Sequence, residues 1–182
     1  LELNRNSLVI RGLQDLPTDQ LMERIAARDD ERIFYIATAL ARGVDIKSIN
    51  EMTGMDPFFL EKIRAITDME EKICGCSLYQ LPEGLLLEAK KMGFADEHLA
   101  HLMNTTEADV RSHRISQGVL PAYHMVDTCA GEFPAITPYF YGSYEGNNEA
   151  TPTKNRKVLI LGSGPIRIGQ GVEFEYCLSL IH

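Results

Sequence analysis

The sequence predicts a mainly α-helical protein that passes through an extended aromatic segment into the first elements of an α/β domain. Three observations predict it: helical spacing of apolar residues from about Thr18 to Val119, an ungapped self-similarity at an offset of 50, and a change of composition after Gly118, ahead of a short aliphatic run at Lys157–Leu161.

Each predicted helix carries start and stop signals. Thr18 is placed to cap a helix with Leu21, Met22 and Ile25, and Asp29 or Asp30 to cap a second. The second has an apolar stripe of Ile33, Ile36, Ala37 and Leu40 that stops at Gly43, a residue suited to a left-handed C-terminal turn. Asp56 and Pro57 form the favoured N-cap and first-turn pair, and the longer helix after them holds Leu60, Ile63, Ile66, Met69 and Ile73 before Gly75. Pro82 opens a helix with Leu85, Leu86 and Ala89 that stops at Gly93. Asp96 then leads a short helix with Leu99 and Leu102, and Thr105 or Thr106 caps the last.

Residues 35–64 laid over 85–114 pair Ile36 with Leu86, Ala39 with Ala89 and Gly43 with Gly93. They continue with Ile49 and Leu99, Met52 and Leu102, Leu60 and Val110, Arg64 and Arg114. The unit reads as helix, Gly cap, short helix, capped turn, helix. One such unit leaves its apolar face uncovered, whereas two can pack together.

Beyond Gly118 come Pro, Thr, Gly and the aromatic residues Tyr123, Phe133, Tyr139, Phe140, Tyr141 and Tyr144, too apolar for a free tether and expected to lie pinned against folded domains. Lys157–Leu161 reads as a strand, Gly162 to Pro165 as a tight turn, and Val172–Ile181 as a helix, the opening of an incomplete Rossmann-like α/β domain. The expected organisation is an N-terminal linker (1–17), a helical domain (18–120), an extended linker (121–156) and the truncated start of an α/β domain (157–182).

A net charge of −8 argues against a nucleic-acid footprint. The four cysteines, Cys74, Cys76, Cys129 and Cys177, show no disulfide framework and no zinc spacing, which points to a reduced, cytosolic setting and no metal. No run reaches the roughly 18 apolar residues of a membrane span. Leu1 is not Met and His182 interrupts a helical pattern, so the chain is expected to be an excised part of a longer polypeptide.

Gly162, Gly164 and Gly169 between strand and helix resemble a phosphate-cradling turn. The strict dinucleotide fingerprint fails, because its third glycine would fall on Arg167. The two helices around Ile46 to Ile66 lack the basic face of a DNA-reading pair: Glu61, Asp68, Glu70 and Glu71 balance Lys62, Arg64 and Lys72. His98 and His101 are read as a solvated or packing pair, and no nucleophile constellation emerges.

Two motifs are more specific. Val126–Phe133 (VDTCAGEF), the aromatic stretch after it, and Gly162–Cys177 (GSGPIRIGQGVEFEYC) together closely resemble the large subunit of carbamoyl phosphate synthetases. Arg32–Ala37 (RIFYIA), Phe58–Ile63 (FFLEKI), Met69–Lys72 (MEEK) and Lys91–Ala95 (KMGFA) are similar to that family's central helical domain. The resemblance covers nearly the whole chain, and implies a helical oligomerisation domain running into the pre-ATP-grasp domain of the second synthetase half.

It further implies a parent ligase that makes carbamoyl phosphate from bicarbonate, ammonia drawn from glutamine and two ATP, for arginine and pyrimidine biosynthesis. By the same resemblance the cofactors, ATP with Mg or Mn and K, belong to the parent, with none and no catalytic residue in this chain. The implied partners are other large subunits and a small glutamine amidotransferase subunit, in the cytoplasm, with neither nucleic acid nor membrane. Gly171, with Gln170, Glu173 and Ile166 nearby, would line the carbamate channel, where a minimal side chain leaves a passage open. Apolar helix faces between Asp30 and Val119 are expected to bury against another subunit. The alternative reading is a truncated nucleotide-binding oxidoreductase with a helical N-terminal domain.

Overall fold

A computed structural model describes residues 7, 8, 10, 12–134 and 136–159. The chain divides into two compact units, Leu1–Ala150 and Thr151–His182. Among the described residues the first unit contains seven α-helices and one hairpin: α1 (Thr18–Ala27), α2 (Arg32–Ala41), α3 (Ile46–Thr53), α4 (Pro57–Ile73), α5 (Leu85–Lys91), α6 (Asp96–Leu102), α7 (Glu107–Ser116), β1 (Ala122–Met125) and β2 (Phe140–Ser143).

The helices start and stop for identifiable reasons. Asp56 caps α4 by accepting from the Phe58 N–H at 2.8 Å, and Pro57 occupies the first turn. Thr106 caps α7, with its hydroxyl and that of Thr105 donating to the Asp109 carboxylate at 2.6 and 3.2 Å. Three start signals fall elsewhere than expected. Pro17, held extended, is the residue before α1, so Thr18 is already helical. Asp29 accepts from the Glu31 N–H at 3.1 Å and so builds the turn before α2, but Glu31 is the flanking residue. After Pro82 the chain still makes a turn through left-handed Gly84, and α5 begins at Leu85.

The offset of 50 is a structural repeat. α2 and α5 end at equivalent residues, Ala41 and Lys91, and Gly43 and Gly93 follow with φ of 81° and 92°. Three residues past the helix the chain bonds back identically, Val44 N–H to Ala39 O at 3.0 Å and Phe94 N–H to Ala89 O at 3.1 Å. Ile36 and Leu86, Ala39 and Ala89, Ile49 and Leu99, Leu60 and Val110 are buried as pairs.

Each helical repeat closes on its own core. Leu21, Ile25, Ile36, Leu40, Ile49, Leu60 and Ile63 make the first; Met69, Ile73, Leu86, Phe94, Leu99, Met103 and Val110 belong to the second. α4 serves both, its first turns finishing one core and its last turns opening the next. Most of the apolar stripe residues expected to meet another subunit are thus covered within the chain, by α1 and the end of α4, while Ile33 and Met52 stay exposed.

After α7 the segment expected to be extended folds back as an antiparallel hairpin, Ala122 opposite Ser143 and Met125 opposite Phe140. The free edge of β1 is occupied too: Asn148 Oδ1 accepts from the Tyr123 N–H at 2.9 Å and Glu149 Oε2 from the Met125 N–H at 2.7 Å. Asp127 organises the turn after β1 by accepting from the Cys129 and Gly131 N–H groups at 2.8 and 2.6 Å.

In the second unit, residues 151–159 form no regular element, and Lys157 Nζ donates to the carbonyls of Thr153 and Asn155. Lys157, Val158 and Leu159, the described part of the expected strand, are exposed. The rest of that strand, the glycine turn and the helix after it lie outside the described residues.

Candidate functional site

Three constellations stand out in the first unit. The repeat makes the first of them conspicuous. Where the first helical unit has Leu40 and Ile46, the second has Lys90 and Asp96, and both are buried. Lys90 Nζ donates to Asp96 Oδ1 at 2.7 Å and to Phe94 O at 2.6 Å. Arg114 Nε donates to Asp96 Oδ2 at 2.7 Å, and its Nη1 to Val119 O at 3.2 Å. Burial pushes the Asp96 carboxyl up, but hydrogen bonds from Lys90 and Arg114, and then their charges, outweigh it and hold the carboxyl below its ordinary range. Tyr144, half-buried just past β2, lays its ring against both cations, 5.1 Å from Lys90 Nζ and 5.8 Å from Arg114 Cζ.

The second joins α4 to α6. His98 Nε2 lies 2.8 Å from Glu70 Oε1, both side chains are almost fully covered, and the His98 ring stacks on Phe94 with centroids 5.5 Å apart. Of the solvated or packing pair expected, His98 packs here and His101 is exposed. Among the described residues, no group of three or more His, Cys, Asp or Glu side chains is placed to hold a metal ion.

The third is on the surface. Phe58 and Phe59, in the first turn of α4, remain 56% and 59% exposed and meet edge to face with centroids 5.4 Å apart. Lys62 Nζ sits 5.2 Å above the Phe58 ring. Ile166, Gln170, Gly171 and Glu173, the expected channel residues, lie outside the described residues.

A family model described as the carbamoyl-phosphate synthetase large chain, oligomerisation domain, matches residues 1–118, and one described as the carbamoyl phosphate synthase preATP-grasp domain matches residues 154–180. The chain belongs to the carbamoyl phosphate synthase large chain family. Among its relatives is the carbamoyl phosphate synthase large chain of Archaeoglobus fulgidus, 42% identical over 97% of this chain and 17% of the relative. That of Thermoanaerobacter pseudethanolicus is 42% identical over 97% of this chain and 16% of its own length; that of Methanothrix thermoacetophila is 46% identical over 87% and 14%. The chain thus spans about a sixth of the length of these large chains. The oxidoreductase alternative gains no support from them.

Within this family assignment the helical repeat is the oligomerisation domain, and the hairpin with Tyr144 follows it in the sequence. Reading the sequence alone missed the Lys90, Asp96, Arg114 and Tyr144 cluster. The signal was present: a lysine and an aspartate at positions that the aligned unit fills with leucine and isoleucine. Among the described residues no helix is long and apolar enough to cross a membrane.

Proposed function

We propose that this chain is the self-associating helical scaffold of a carbamoyl phosphate synthase large chain, which joins large chains to one another while the chemistry takes place elsewhere in the polypeptide. The observation that carries this reading is the exposed pair Phe58 and Phe59. Their equivalents in the second unit are Ala108 and Asp109, so the unit folds without the two rings. Because each core is already covered from within the chain, contact with a second copy falls to side chains left outside. Exposed aromatic rings are the type that anchors such contacts, with neighbours filling out the roughly 800 Å² per partner of a standard interface.

Phe58→Asp combined with Phe59→Asp in the intact large chain tests the reading by light-scattering mass and circular dichroism. A smaller assembly with unchanged helicity supports it, and an unchanged mass overturns it.

On this reading the parent enzyme makes carbamoyl phosphate from bicarbonate, ammonia released from glutamine by a small amidotransferase subunit, and two ATP, in the cytoplasm. Of the buried carboxylates described, Asp96 is paired with Lys90 and Arg114, and Glu70 with His98. On the same reading ATP, Mg or Mn, and K act elsewhere in the large chain. Residues 157–182 would open the second synthetase half, with Gly171 lining a carbamate channel beside Ile166, Gln170 and Glu173. Gly171→Phe in the intact enzyme should stop carbamoyl phosphate formation while ATP hydrolysis continues; a normal rate of formation removes the assignment.

A further inference from the structure

We propose that Lys90, Asp96 and Arg114 form a socket for the ring of Tyr144, and that this socket straps the hairpin to the second helical unit.

The cluster holds two cations and one carboxylate, all buried, so Asp96 neutralises only half of the positive charge. Buried charge without compensation is strongly unfavourable, and the first helical unit shows that the fold has no need of it, since Leu40 and Ile46 fill the same places. Both cations also lie against the electron-rich face of an aromatic ring, which meets positive charge without adding a second negative ion.

The remaining polar contacts fit the same purpose. Lys90 bonds the Phe94 carbonyl, while the equivalent carbonyl in the first unit, Val44, receives Arg64 at 3.2 Å. With Lys90 holding that carbonyl, Arg114 turns to Asp96 and to the carbonyl of Val119, just before β1. The hairpin is thereby held at both ends: Arg114 grips the chain where it enters β1, and Tyr144 closes over the same guanidinium where it leaves β2. Between those points Ala122 is buried, but the larger Tyr123, Phe140 and Tyr141 are about half exposed, so apolar burial offers the hairpin limited hold in place of the strap.

Hydrogen exchange on the whole chain tests this. In Tyr144→Leu, which keeps apolar bulk but removes the ring face, amides of Ala122–Met125 and Phe140–Ser143 should exchange at least about tenfold faster, with α5 to α7 unchanged. Tyr144→Phe should keep wild-type protection. Lys90→Leu with Asp96→Ile, which installs the residues of the first unit, should retain helicity, let Arg114 take the Phe94 carbonyl, and release the hairpin as Tyr144→Leu does. Unchanged hairpin exchange in Tyr144→Leu overturns the strap. So does an equal loss of protection in α5 to α7, which would make Tyr144 a part of the core. Should the double variant fail to fold, the contrast between Tyr144→Leu and Tyr144→Phe decides the question.

Discussion

Leu40 and Lys90 occupy the same place in two copies of one helical unit, the first as core and the second as a buried cation bonded to Asp96 at 2.7 Å. The glycine turn that follows has the same backbone in both. The difference therefore reports what the second unit does beyond folding. In energetic terms a buried ion cluster is weak evidence for stability, because apolar residues of similar size serve as well, whereas breaking one is severe.

Asp96→Ala leaves Lys90 and Arg114 covered with no carboxylate between them. Loss of about 3–5 kcal/mol is expected from urea unfolding followed by circular dichroism.

The acid side of the stability profile should carry the same signature. The Asp96 carboxyl is held below its ordinary value in the folded state, so its contribution is complete above about pH 3.9 and is lost as pH falls through that value toward the folded one. Asp109, held down chiefly by the Thr106 hydroxyl, acts in the same direction. Unfolding midpoints measured from pH 6 downward should fall below about pH 4, and less steeply in Asp96→Asn.

His98→Ala strands the Glu70 carboxylate between α4 and α6. A loss of about 1–3 kcal/mol is expected, with a coupling of at least about 0.5 kcal/mol between the two positions in a double-mutant cycle with Glu70→Ala.

Gly43→Ala and Gly93→Ala should each destabilise by about 1–2 kcal/mol, since both residues are left-handed and an added Cβ meets nothing within 4 Å, leaving backbone strain as the whole effect. At the other shared turn, Gly54 (φ 70°) faces Asn104 (φ 53°) across the repeat. Asn104→Gly should therefore change the thermal midpoint little, within about 0.5 kcal/mol in stability.

Most of the helical region was legible in the sequence because its signals are local. Asp56 with Pro57, Gly43 and Gly93 act within a few residues of where they stand, and the repeat repeats them. Thr18 misled because Pro17 already holds the extended backbone that a cap provides. The apolar stripes were visible, but a stripe does not say whether its cover comes from α1 and α4 of the same chain or from another. The hairpin was not legible, since its four-residue strands pair across the excursion from Val126 to Tyr139, and neither carries the alternation of a half-buried strand. Tyr144 read only as one more aromatic in a linker; its partners, Lys90 and Arg114, lie on α5 and α7, far back in the chain.

α4 has a mechanical consequence. Gripped by one core at Leu60 and Ile63 and by the other at Met69 and Ile73, its 17 residues make a rod roughly 25 Å long. Neither core can melt without stripping a face from that rod, so the helical region should come apart in one event. A load applied at Phe58 arrives at the far core as a rigid displacement, with no hinge along the way to absorb it.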